Sequence, residues 1–278
     1  MKVGRSHIEA VMVMGVLENE EIFRGLSTIK NAHEYTFYHS INVSILTILM
    51  GSRLQLDPEL LNKIGAAAML HDLGKLRVPQ EILDKPTTLT DDEWRIMKSH
   101  SIEGAKLLSE QQNVDPLALI VAAQHHAKHD LSGYPRFNGI DRLHIVSEVV
   151  AIADVFDALT SDRSYRKAML PDKAMQIIAE SRGTGFEASF VRMFAKMVGL
   201  FPVGTMVELD TGELALVTKA NPDDLCRPVV RLVDPDAKQT SDPVFIDLME
   251  VSDFIYKHSI VRSIESPQRG AHLANAFL

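Results

Sequence analysis

Thiols are nearly missing from this chain: its 278 residues include one cysteine, Cys226. A lone thiol excludes an internal disulfide and any zinc site of several thiolates, and it suits a reducing compartment. Long apolar runs are missing too, since none approaches the roughly 18 residues of a membrane span. Ala10–Leu17 imitates a signal-peptide core, but Glu9 precedes it, Glu18, Glu20 and Glu21 follow, and no small-residue cleavage pattern is present. Basic charge is in deficit: 29 Lys and Arg against 37 Asp and Glu leave a net −8. That balance argues against a nucleic-acid coat or a membrane-surface protein. The expected address is the cytoplasm, with neither nucleic acid nor membrane as a partner. An anionic substrate would have to be drawn in by local charge and bound metal.

What is present is an ordinary globular composition, 46% apolar and 24% charged, organised around His71-Asp72-Leu73-Gly74-Lys75. Asp57-Pro58-Glu59 predicts a helix start, with a capping Asp and Pro at the first helical position. Leu60, Leu61, Ile64, Ala67 and Ala68 follow at helical spacing. This helix carries His71 and Asp72 out of a greasy interior at its end, with Lys75 one turn beyond. By themselves the five residues fit equally well a helix-end ion pair of Asp72 with Lys75 beside a solvated histidine. Further helices are expected over 6–25, 33–54, from the capping box Thr90–Glu93 to about Ser109, from Asp115-Pro116 to His126, and over 145–159, 171–182 and 187–199. Pro79 to Pro86 reads as a loop, as does 127–139, which holds Gly133, Tyr134 and Pro135 and is long enough to be functional. After Pro202 the pattern turns to short strands, 206–209, 214–219, 229–233 and 244–248, a small β subdomain without a catalytic constellation.

Several polar residues sit where the helices are otherwise apolar. His39 lies within 33–54, His100 follows the Thr90 box, His125-His126 end an apolar stretch, and Asp154 and Asp157 interrupt a helix that is apolar nearly all round. A carboxylate buried there needs a cation or several donors. His39, His71, Asp72, His100, His125, His126 and Asp154 together would suit two octahedral first-row metals, iron or manganese above zinc, with Asp72 able to bridge them. Two such ions can hold a bridging hydroxide at neutral pH and clamp both oxygens of a phosphoryl transfer, which needs no nucleophilic Ser or Cys. Lys75, Arg163 and Arg166 could neutralise phosphate oxygens as charge builds.

HDLGK with an upstream helical His, a downstream His, a His pair and a late Asp resembles the HD superfamily of metal phosphohydrolases. YTFYHS (35–40), LHDLGK (70–75), Val78-Pro79-Gln80, the His100 helix, HHAKHDLSGYP (125–135), ADVFDALTSDRSYR (153–166) and GTGFE (183–187) look like the HD-GYP family over roughly residues 30–200. The β tail also resembles a segment that some members carry. The resemblance implies a mainly α fold, an HD-type helical bundle with a small C-terminal β subdomain. It divides the chain into a helical segment 1–29, a catalytic domain 30–200, and a β subdomain 201–265 with a tail to 278.

It also implies a two- or three-metal, mostly iron, centre that hydrolyses the bacterial second messenger cyclic di-GMP to pGpG or GMP. The implied ligands are His39, His71, Asp72, His100, His125, His126 and Asp154. Asp72 and Lys75 would be catalytic. Lys75, Arg163 and Arg166 fall at phosphate-contacting positions, and Gly133, Tyr134 and Pro135 fall in the substrate loop. Trinuclear members carry a Glu where this chain has Tyr35, so two ions are expected. The family's loop Glu and Gly are here Ala127 and Leu131, with His129 between, which touches substrate fit and rate rather than metal binding.

Two alternatives stand beside the hydrolase. One is a low-turnover or non-catalytic cyclic di-GMP sensor, or a module that binds a partner such as a diguanylate cyclase domain through 127–139. The other is a hydrolase of another cyclic dinucleotide. No receiver or sensory domain is visible, so regulation is expected from a partner, from self-association as a homo-oligomer, or from a segment outside this chain.

Overall fold

The computed structural model describes residues 34–162, 167–233, 243–252 and 255–264. The helix expected over 6–25 and the arginines Arg163 and Arg166 lie outside them. The chain divides into two compact units, one running up to Ala168 and including Ile178–Val191, the other made of Met169–Ile177 and the chain from Arg192. The division passes through two helices, α8 (Pro171–Glu180) and α9 (Ala188–Val198).

The first unit is helical: α1 (Glu34–Arg53), α2 (Pro58–Leu70), a 3₁₀ turn (Leu73–Arg77), α3 (Gln80–Leu83), α4 (Asp91–Lys98), α5 (His100–Ser109), α6 (Pro116–Gln124) and α7 (Ile145–Thr160). Local chemistry starts three of them. Asp57 Oδ1 accepts from Leu60 N at 2.9 Å and Asp115 Oδ1 from Leu117 N at 2.9 Å, while Thr90 and Glu93 close a reciprocal capping box. Val43 and Ile48 of α1, Leu61, Ile64, Ala67 and Ala68 of α2, Val121 and Ala122 of α6, and Val150 and Ala153 of α7 are buried together as the core. Each large member contributes roughly 1.5–3 kcal/mol through its removal from water.

Three expectations are corrected. The helix expected from Thr90 to Ser109 is two helices, because Ser99 Oγ donates back to Ile96 O at 2.7 Å and competes with the helical ladder. The helix expected to end at His126 ends at Gln124, with His125 as its cap. The Pro79–Pro86 loop contains the short helix α3.

In the second unit a five-stranded antiparallel sheet has the order β4-β3-β2-β1-β7, from β1 (Met206–Leu209), β2 (Leu214–Lys219), β3 (Val229–Val233), β4 (Phe245–Asp247) and β7 (Ile260–Ile264). Strands β5 (Val251–Ser252) and β6 (Ile255–Tyr256) pair separately. Val207, Leu209, Ala215, Val217, Val230 and Leu248 fill its core.

Candidate metal centre

Helix ends deliver the polar residues. His71 caps α2, and its Nδ1 lies 2.6 Å from Ala68 O; His100 opens α5 with Nδ1 2.7 Å from Met97 O; His125 caps α6 with Nδ1 2.9 Å from Ala122 O. A carbonyl oxygen only accepts, so each Nδ1 carries the proton and donates, and each Nε2 is left with its lone pair. Each lone pair faces Asp72. Its Oδ2 lies 3.4 Å from His71 Nε2, and its Oδ1 lies 3.3 Å from His100 Nε2 and 3.8 Å from His125 Nε2.

Asp72 reaches that point because the 3₁₀ turn lies hard against α5. A Cβ on Gly74 would sit 1.8 Å from His100 O and 2.4 Å from Gly104 N, so only glycine permits the approach.

Helices α1 and α7 complete the cluster. His39 Nδ1 donates to Asp157 Oδ2 at 2.7 Å, and His39 Nε2 faces Asp154 Oδ1 at 3.0 Å and Asp72 Oδ2 at 3.8 Å. Asn42 Nδ2 donates to Asp157 Oδ1 at 2.8 Å and holds that carboxylate in place. His126 Nδ1 lies 3.8 Å from Asp154 Oδ2. Asp72, His100, His125 and His126 each offer an atom within 4.8 Å of the others, and so do His39, His71 and Asp72; Asp72 belongs to both groups.

This donor set fits divalent metal. His71 Nε2 and Asp72 Oδ1 are buried and make no hydrogen bond, although such atoms are costly to leave unsatisfied. His100 Nε2 and His125 Nε2 face each other at 3.2 Å, lone pair toward lone pair, which a cation between them would relieve.

The electrostatics agree. Burial depresses His100, and it depresses His125 further together with the neighbouring His126, so both imidazoles stay neutral. Burial likewise outweighs Asp154 at His126 and lowers it. Burial opposes the charge of Asp72, but the Lys75 ammonium beside it holds it well below the usual carboxylate range. Lys75 Nζ lies 2.5 Å from Asp72 Oδ2. The helix-end ion pair is therefore present, yet His71 beside it is fully buried.

The 127–139 loop folds back over the cluster. Tyr134 N donates to His126 O at 3.2 Å, and a Cβ on Gly133 would meet that oxygen at 2.2 Å. The Tyr134 ring thereby lies 4.7 Å from that of His126, and its peptide bond to Pro135 is cis. Burial, with Asp72 and Asp154, pushes the Tyr134 phenol up, so it stays protonated. Ala127 is buried, and Leu131 takes φ +64°, the left-handed region that glycine favours. The loop's anchor comes from elsewhere: His129 Nδ1 lies 2.5 Å from Glu148 Oε1 of α7, and its backbone N donates to Gly185 O at 3.1 Å.

The structure brings all seven expected ligands into one cluster, with Lys75 and Tyr134 beside it. Sequence reasoning missed Asn42 and the His129–Glu148 pair. It also missed the role of Asp157, whose position one turn past Asp154 in an apolar helix was the available signal.

Residues 26–189 match the HD domain family, and 206–266 match the KOW domain associated with HD domain. A cyclic di-GMP phosphodiesterase of Pseudomonas aeruginosa is 36% identical over 217 residues, 78% of this chain and 52% of that protein. The 3'3'-cGAMP-specific phosphodiesterase 3 of Vibrio cholerae is 36% identical over 168 residues, 60% of this chain and 36% of that one. The chain thus spans about half the length, or less, of these curated relatives. The solved structure of an HDG"Y"P protein from Bdellovibrio bacteriovorus shares its fold, with a TM-score of 0.50 at 17% identity over 68% of this chain and 61% of that one. With more than half of its length matching, the chain belongs to the HD domain family, and it shares the helical fold of that solved structure.

Proposed function

We propose that the chain is a metal-dependent phosphodiesterase that hydrolyses cyclic di-GMP to pGpG, and to GMP after a second cut, through the domain at 30–200. The observation that carries this reading is the pair of donor groups sharing Asp72. His39, His71 and Asp72 would hold one divalent ion and Asp72, His100, His125 and His126 a second, with Asp154 between His39 and His126. Imidazole with carboxylate suits iron first and manganese second. Metal bound there supplies Lewis acidity and water of lowered pKa.

The remaining work falls to this chain's own residues. Lys75, 20% exposed beside Asp72, meets negative charge on the phosphoryl oxygens. Tyr134, neutral because its phenol is pushed up, donates to a substrate oxygen. Gly133 and Pro135 hold that ring over His126, and Arg163 and Arg166 serve as further phosphate cations.

No described helix is long and apolar enough to cross a membrane, which suits the cytoplasmic address proposed. Self-association, and docking of a diguanylate cyclase domain on 127–139, belong to the same proposal.

A second reading, a cyclic di-GMP sensor with negligible turnover, draws support from Ala127 and from Leu131 at φ +64° in the substrate loop. A third, hydrolysis of a hybrid dinucleotide, draws on the specificity in the Vibrio relative's name. Turnover of cyclic di-GMP and of the hybrid by protein purified anaerobically with iron or manganese, beside Asp72→Ala, separates them. Wild-type turnover equal to the mutant's background selects the sensor, and cleavage of the hybrid alone selects the third reading.

A further inference from the structure

Helix α4 buries none of its residues, yet it carries Trp94, 44% exposed, and Ile96, 38% exposed. Two of its three acids are engaged, Asp92 with Arg95 at 3.0 Å and Glu93 with Lys85 at 2.5 Å. Lys98 has no carboxylate within ion-pair distance among the described residues. Its Nζ lies instead 5.7 Å from the Trp94 ring centroid and 5.8 Å from that of Tyr134. Tyr134 in turn is 4.7 Å from His126 and 6.4 Å from His100. An aromatic–cation–aromatic shelf therefore runs from the rim of the metal cluster to solvent.

We propose that this shelf is a substrate subsite: Lys98 holds the phosphodiester that is not being cut, and Trp94 stacks one purine. The inference rests on the cyclic-dinucleotide reading. A cyclic dinucleotide has two phosphodiesters, and only one can occupy the centre at a time. The other keeps a full negative charge close by, next to a protein whose net charge is −8, so one unpaired cation there matters. Every base offers a π-face to an exposed indole, and a cation between two rings is attracted to both. Trp94 is 44% exposed and belongs to neither core cluster among the described residues, so its indole is open to a ligand.

Trp94 is the only tryptophan in the chain, so its emission reports the subsite directly. Stopped-flow mixing of metal-loaded protein with cyclic di-GMP should quench that emission before turnover. Lys98→Ala should weaken binding about tenfold and flatten its salt dependence. Trp94→Ala should raise KM roughly tenfold, with Trp94→Phe recovering most of it. The loss in kcat/KM should be several times larger for cyclic di-GMP than for bis(p-nitrophenyl) phosphate, which is too small to reach the shelf. Unquenched emission with unchanged KM in both alanine variants overturns the subsite while the hydrolase reading stands. Equal losses on the two substrates overturn it as well, because α4 then merely props the centre. Wild-type protein that cuts the small diester but no cyclic dinucleotide brings down the functional reading, and the subsite with it.

Discussion

His39 sits between Asp157 at 2.7 Å and Asp154 at 3.0 Å, and that position sets how the metal-free protein responds to pH. Burial pulls its pKa down, but hydrogen bonds to Asp154 and Asp157 and the charges of Asp154 and Asp72 win, raising it to about 9. The folded value lies above the unfolded one of 6.5, so the stabilisation is fully present below pH 6.5 and disappears as pH rises through about 9. The same proton would compete with a metal ion held at Nε2. Calorimetric titration of Mn²⁺ should therefore show affinity about tenfold higher at pH 8 than at pH 7; a flat profile would contradict the assignment. Lys75→Ala should lower kcat roughly 100-fold with metal content unchanged by elemental analysis. Leu131→Gly should cost nothing or stabilise by up to about 1 kcal/mol, whereas Leu131→Val should lose about 1 kcal/mol in urea titrations, because a β-branched residue fits φ +64° worst. At this scale the ligands were legible as residue types out of place in apolar helices. The partner of His39 was not, since Asp157 lies 118 positions away and only folding joins them.

Among the elements, the 3₁₀ turn after α2 controls the site, because it lets Asp72 reach His100 and His125. Gly74→Ala would drive a Cβ into the α5 backbone at 1.8 Å, contact that cannot relax by a rotamer change. It should destabilise by about 2 kcal/mol or more in chemical denaturation, and weaken metal binding even where the protein still folds. Helix starts at Asp57, Thr90 and Asp115 could be read from sequence because their caps act within three residues. The break at Ser99 could not, since apolar residues continue on both sides and a side-chain bond decides it. Strand β7 was equally hidden. It pairs with β1 across more than fifty positions, a long-range register that no local pattern encodes.

For the molecule as a whole, the cluster gathers Asp72 and Asp154 with five histidines in one interior, so a metal held there would stabilise the fold. A ligand present at a hundred times its Kd adds about 2.7 kcal/mol of stability. Mn²⁺ should raise the Tm by several degrees, EDTA should reverse the rise, and Asp72→Ala should abolish it in differential scanning calorimetry. The helical architecture and the small sheet were readable from periodicity and turn residues. The way seven side chains from five helices and their ends converge was not readable from spacing; the chemistry of imidazoles and carboxylates in apolar helices suggested it, and the family resemblance gave the same set. Six of the seven expected ligands are buried, while the His126 side chain keeps 26% of its surface open. Of the seven, the His126 imidazole is the most exposed, and the Tyr134 ring lies 4.7 Å from it. The loop that carries that ring therefore stands beside the expected ligand most open to solvent.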